Sequence, residues 1–177
     1  MSQKNVLVQR DKDFLIHTLS SPNAGERRLA LGNLSTAVAL KLFPREDFLN
    51  LSERLLFRAS PDDAPFYLFE FGTELGVDVQ PKGAMLNEYE SLNIGKRKQS
   101  TLDQAERHFI LKMLSSKDRT NAVLAARVMV QKRHLVQPDK SWVTTVIDRQ
   151  MATSKSNRLR YWRVVRRVVT EKVQRRG

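Results

Sequence analysis

The chain has no cysteine among its 177 residues. That excludes a disulfide framework, thiolate chemistry and a Cys-based zinc site, and fits an intracellular protein. No apolar run approaches the roughly 20 residues that a membrane-spanning helix needs. The N-terminus, MSQKNVLVQRDKD, lacks the apolar centre of a signal peptide. A soluble protein in the cytoplasm, or associated with a nucleoid or nucleus, is expected, with no membrane partner. Glycine-rich phosphate loops, GxSxG elbows and zincin motifs are all missing. His17, His108 and His134 have no second histidine or carboxylate at a ligand spacing, so no metal, cofactor or catalytic residue is expected. No segment alternates apolar and polar residues between turn signals, which leaves an all-α fold.

Acidic residues are scarce in one half only. Residues 1–100 carry 13 Lys+Arg against 13 Asp+Glu, whereas residues 101–177 carry 18 against 6. The whole net charge of +12 therefore lies in the second half. A neutral half suited to folding or protein contact and a basic half suited to a polyanion are implied.

Prolines and small polar residues divide the chain into helices. DFLIHTLSSP reads as a short helix stopped before Pro22, because a proline holds its predecessor in extended geometry. Helices follow over 26–42, 47–58 and 64–75, with Pro65 tolerable in a first turn. Residues 76–100 hold three glycines, a proline and the basic triplet Lys96-Arg97-Lys98. They read as an insertion with one helical turn around Met85–Leu92. Helices resume over 102–115, 119–135 and 141–152. The last stretch, NRLRYWRVVRRVVTEKVQRR, gathers Tyr161, Trp162, Val164, Val165, Val168, Val169 and Val173 on one half of a helical cylinder. Arg160, Arg163, Arg166 and Arg167 occupy the other half. Burial of the valine face must hold this helix, since β-branched residues are mediocre helix formers.

These eight helices form four pairs, each a short helix, a small-polar break (TLSSP, FRASP, MLSSK, MATSK) and a longer helix. The halves align without gaps at an offset of 95. Phe14, Leu19, Ser20, Ser21, Leu29, Ala30, Leu40 and Arg54 then meet Phe109, Leu114, Ser115, Ser116, Leu124, Ala125, Leu135 and Arg149. Phe66-Tyr67 meets Tyr161-Trp162. A two-helix unit of 38–40 residues is the mark of an α-solenoid. FLIHTLSSPNAGERRLALGNL resembles a HEAT-type repeat, and so does FILKMLSSKDRTNAVLAARVM, with Asn121 and Ala122 where that repeat would carry an arginine. The resemblance covers most of residues 13–75 and 104–174. It implies four antiparallel helix pairs in a right-handed solenoid whose second helices line an inner surface, and no particular reaction. The stretch AERHFILKMLSSKDRT, with the tryptophan and arginine-rich helix after it, is similar to the C-terminal half of the small helical subunits of CRISPR effector complexes. That similarity implies a grip on nucleic-acid strands without sequence reading.

The helix over 119–135 is apolar nearly all round, leaving a wet strip of Thr120, Arg127, Gln131 and His134. Beside the last helix, the strip would join its arginines in one basic surface. The expected nucleic-acid contacts are Arg127, Gln131, His134, Lys155, Arg158, Arg160, Arg163, Arg166 and Arg167, with Lys96, Arg97 and Lys98 from the insertion. Arginine suits phosphate because its planar fork donates two parallel hydrogen bonds. The leading expectation is a non-enzymatic protein holding DNA or RNA by its phosphates, largely without regard to sequence. The alternative is an adaptor for an acidic protein partner, with the N-terminal half as a further protein contact. A third is a base-processing glycosylase of HEAT-like type. Its only candidate residues, Trp142, Asp148 and Trp162, do not share one helix face, and the tryptophans read better as core anchors.

Overall fold

A computed structural model describes residues 7–78, 84–92 and 98–172. Helix follows helix: α1 (Gln9–Thr18), α2 (Ala24–Ala39), α3 (Arg45–Arg58), α4 (Ala64–Glu74), α5 (Ala84–Leu92), α6 (Gln104–Leu114), α7 (Arg119–Gln131), α8 (Arg133–Val136), α9 (Ser141–Ala152) and α10 (Ser156–Thr170). The described residues contain no strand, so the fold is all-α. None of these helices is long and apolar enough to cross a membrane.

Local chemistry sets most boundaries. Asn23 accepts the Gly25 and Glu26 N–H groups at the start of α2, and Asp118 accepts the Thr120 N–H at the start of α7. Asp103 and Glu106 form a reciprocal capping box on α6. Gly76, at φ 70°, turns the chain out of α4 in the left-handed region that glycine adopts without strain.

Ten described helices stand where eight were expected. The turn around Met85–Leu92 is a helix of its own, α5. The helix expected over 119–135 breaks at Lys132 (φ −104°, ψ 24°), which re-aims α8. That break lets the Arg133 guanidinium donate to the Phe57 and Ala59 carbonyls, each at 3.0 Å, at the exposed end of the α3 ladder.

The halves repeat each other in detail. The Leu7 N–H donates to the Leu42 carbonyl, as the Leu102 N–H does to that of Leu135. Ser21 Oγ accepts the Asn23 N–H at 3.1 Å, and Ser116 Oγ accepts the Asp118 N–H at 3.1 Å. The serine bonds follow the offset of 95 at both ends, whereas the leucine bonds keep it at the donor and accept at carbonyls 93 apart. Within the halves α1 packs on α2, α3 on α4, α6 on α7 and α9 on α10, and α2, α4, α7 and α10 follow one another in contact.

One hydrophobic cluster spans both halves, from Leu19 to Val169. Tyr161, Trp162, Val164, Val165, Val168 and Val169 of α10 are all buried in it, the face that the valine pattern marked; Val173 lies outside the described residues. Glycine at 72 lets α10 come this close. A Cβ there would meet the Tyr161 ring at 2.8 Å and the Asp78 Cβ at 2.6 Å. Helix α10 also packs against α3, a contact that an open end-to-end stack of four pairs would not make.

Candidate nucleic-acid interface

Helix α10 turns its buried face to the core and its arginines outward, yet much of the arginine ridge is engaged within the molecule. Glu46, Asn50, Glu53 and Phe57 form an i, i+4, i+7, i+11 stripe on α3, and Arg160, Arg163 and Arg167 form a matching stripe on α10. Arg160 pairs with Glu46 at 2.7 Å and reaches Asn50 Oδ1 at 3.3 Å. Arg167 pairs with Glu53 at 3.3 Å and with Glu171 at 3.4 Å, its guanidinium 4.9 Å from the Phe57 ring centre. Arg166 turns the other way and meets Asp148 of α9 at 2.7 Å. The expectation of an open ridge opposite the core is thus corrected: neighbouring helices bring carboxylates that helical spacing within α10 could not reveal. Arg163 is exposed and has no carboxylate partner among the described residues.

The expected wet strip on α7 is also covered. Arg127 pairs with Asp78, whose side chain is fully buried, and lies 5.1 Å from the Phe69 ring centre. Gln131 Oε1 accepts from the Tyr89 hydroxyl of α5 at 3.4 Å. Residue 78 and α5, both read as part of an insertion, fold down over this strip. His134 is exposed, but partial burial, then Lys132 and Arg133, hold its pKa below the ordinary value of 6.5. Lys98 is exposed, and Lys96 and Arg97 lie outside the described residues.

Lys155 and Arg158 come together with a residue that sequence reading missed, Arg119. The three line an open cleft of about 520 Å³ with Gln150, Thr153 and Ser154, and no carboxylate lines it. Arg119 begins α7, and Lys155 and Arg158 bracket the first turn of α10, which has no side-chain cap. Desolvation, then the nearby Arg119, lowers the Arg158 pKa. Asp118, the acid next in sequence, is directed at the α7 backbone instead. A signal for Arg119 existed. It immediately follows the break Ser115-Ser116-Lys117-Asp118, and the first residues of neighbouring second helices meet in this architecture.

The residues weighed for base chemistry do not converge. Trp162 is buried in the core, Trp142 lies under Arg107 at 5.6 Å, and Asp148 holds Arg166. Among the described residues, no three His, Asp or Glu side chains are grouped to hold a metal ion.

Among the described residues, the large hydrophobic ones that remain exposed are Val8, Phe14, Ile16, Leu29 and Leu40, on or beside α1 and α2. Phe14, Leu29 and Leu40 are 68%, 66% and 64% exposed, whereas their aligned counterparts Phe109, Leu124 and Leu135 are at most 4% exposed. The second half is covered on this side by what precedes it: α4 packs on α7, and Tyr89 of α5 stacks on Phe109 with ring centres 6.4 Å apart.

No protein-family model, curated protein or solved structure matches the chain.

Proposed function

We propose that this is a non-enzymatic nucleic-acid-binding protein that holds the phosphate backbone with its C-terminal half. One observation carries the reading. After Arg107, Arg127, Arg160, Arg166 and Arg167 have taken carboxylate partners, Lys117, Arg119, Arg149, Lys155, Arg158 and Arg163 still have none among the described residues. Three of these six, Arg119, Lys155 and Arg158, line one cleft, and unpaired cations so gathered favour a polyanion, whose bound counterions they release. Arginine predominates, as two-pronged contact with phosphate favours. A HEAT-like solenoid, whose second helices line one surface, is the architecture in which we place α7 and α10. The strand grip implied by the likeness to CRISPR effector subunits agrees with this surface.

Binding of purified full-length protein to random-sequence DNA and RNA at two salt concentrations tests the reading. Micromolar or tighter binding at low salt is expected, similar across sequences and steeply weakened by salt. Undetectable binding to both polymers at low salt would remove it.

A second reading, an adaptor that contacts a protein subunit, is favoured by the uncovered α1–α2 end. The surface that α4 and α5 cover in the second half is bare in the first, so an amphipathic helix of a partner is the occupant it suits. This reading takes first place if both polymers fail to bind.

A further inference from the structure

The same place in the two halves holds opposite charge. In the first half the second helices, α2 and α4, meet at their N-terminal ends, where Arg27 pairs with Asp63 at 2.7 Å and Arg28 lies 3.6 Å from it. Asp63 is 4% exposed, so the turn carries its own buried anion. The offset of 95 that matches Ser21 with Ser116 and Tyr67 with Trp162 places Arg158 where Asp63 stands. In the second half the N-terminal ends of α7 and α10 bring together Arg119, Lys155 and Arg158, which align with Ala24, Ser60 and Asp63, around a cleft lined by no acid. Like charges this close repel, and burial adds a desolvation cost. An anion between them would reverse both terms. The anion that the first half builds in is missing from the second.

The neutral groups of the cleft narrow what the anion can be. Thr153 Oγ1 donates to the Arg149 carbonyl, Ser154 Oγ to that of Gln150, and Gln150 Nε2 to that of Leu114. Both hydroxyl hydrogens and one of the two Gln150 amide hydrogens are committed to backbone carbonyls, which leaves the two guanidinium groups and one ammonium as the main donors. Such a set favours charge and tetrahedral oxygen geometry over the edge of a base. The N-terminal end of α10, which has no side-chain cap, adds to the positive field. We infer that the cleft lined by Arg119, Lys155 and Arg158 is a phosphate seat that takes one phosphate group, an anion in the role that Asp63 plays in the first half. The inference rests on the nucleic-acid reading for the source of that group, a backbone phosphodiester, while the seat itself is defined by phosphate chemistry.

Thermal unfolding of the full-length protein in inorganic phosphate against chloride, at matched ionic strength, is the first arm. Phosphate should raise the melting temperature of the parent and of Lys172→Ala, which removes a charge just past the far end of α10. It should leave Arg119→Ala/Arg158→Ala unmoved. Arg158→Asp, which copies the first half, should lose the response while melting no lower than the parent in chloride. Arg119→Gln serves as the gentler variant should the double substitution fail to fold. The second arm is oligonucleotide titration. The double variant should bind at least tenfold more weakly at about 0.1 M salt, with the log–log salt slope flatter by roughly 0.7–0.9, the change for one phosphate that is no longer neutralised. An equal phosphate response in parent and double variant overturns the seat. So does oligonucleotide binding that the substitutions leave unchanged, and in that case the nucleic-acid reading stands. A phosphate response that depends on these residues, in a protein that binds no oligonucleotide, keeps the seat and removes the nucleic-acid reading.

Discussion

The turn joining α3 to α4 and the turn joining α9 to α10 occupy corresponding places in the two halves, and they handle charge in opposite ways. The first buries Asp63 against Arg27 and Arg28. The second gathers Arg158, Lys155 and Arg119 in a cleft with no acid among its lining residues. The apolar positions show a second inversion: Phe14 and Leu29 are exposed, while Phe109 and Leu124 are buried. One repeat unit has thus been adapted twice. The first half pairs the charges of its turn and leaves its apolar end bare; the second covers its apolar end and leaves the cations of its turn without a lining acid. Each half lacks something that the other has.

The strongest way to sharpen this contrast is to ask which arginines of the second half belong to its fold. Arg127 does. Its partner Asp78 has a fully buried side chain, and removing the arginine takes away the guanidinium paired with that carboxylate beside the Tyr161 ring. Arg127→Ala should cost about 3–5 kcal/mol, the usual penalty for breaking a buried pair. Urea denaturation followed by far-UV circular dichroism checks this. A loss below about 1 kcal/mol, the range of an exposed ion pair, would make Arg127 a surface residue like its neighbours in the cleft.

The reverse exchange comes next in size. Asp63→Arg makes the first turn resemble the second, placing a third cation beside Arg27 and Arg28 in a site that is nearly closed to water. The melting temperature should fall by several degrees, at roughly 2–4 °C for each kcal/mol of stability removed in a chain of this size. Phosphate should now restore part of the drop. An unchanged melting temperature would mean that the two turns are not equivalent.

Helix positions, the two-half repeat and the buried face of α10 were all legible in the sequence, because periodicity and turn residues are local signals. The valine and aromatic positions of α10 could face only a core. The fate of the arginines was not legible. Whether Arg160 is open or paired depends on Glu46, which is 114 residues away, and no helical spacing encodes that distance. Asp78 and Tyr89 sit in a segment rich in breakers that reads as an insertion, so their cover of Arg127 and Gln131 was out of reach. Arg158 was legible as a cation but not as the counterpart of Asp63, although the alignment of the halves contains that fact. A charge total for each half hides what position-by-position comparison shows.

A smaller effect tests the core side of the repeat. Tyr161 is fully buried with no hydrogen-bond partner for its hydroxyl among the described residues, and burial pushes its pKa well above the ordinary value of 10. The aligned residue of the first half is Phe66. Tyr161→Phe installs that solution and removes an unsatisfied buried group, so stability should rise by about 1 kcal/mol in denaturant titration. A loss of similar size would show that the hydroxyl has a partner after all.

The smallest expected change in stability tests whether the seam between the halves hides further binding capacity. Glu46 and Glu53 of α3 hold Arg160 and Arg167 of α10, with Arg163 unpaired between them among the described residues. These pairs are partly exposed, Glu46 retaining 61% of its side-chain area, so water and salt screen them. Glu46→Gln/Glu53→Gln should therefore cost no more than about 1 kcal/mol for each pair, while leaving Arg160 and Arg167 without their cross-helix carboxylates. Both arginines lie on the stripe of Arg163, so they can then meet a polyanion alongside it. Affinity for random-sequence oligonucleotide should rise, and the log–log salt slope should steepen by roughly 0.7–0.9 for each arginine recruited. The same variant should leave the phosphate response of the Arg119–Lys155–Arg158 cleft unchanged, because neither glutamate lines it. A steeper slope with an unchanged phosphate response would make the seam a second, masked contact surface distinct from the cleft. An unchanged slope would assign Arg160 and Arg167 to holding the halves together, and leave the backbone grip to the cations that have no acid of their own.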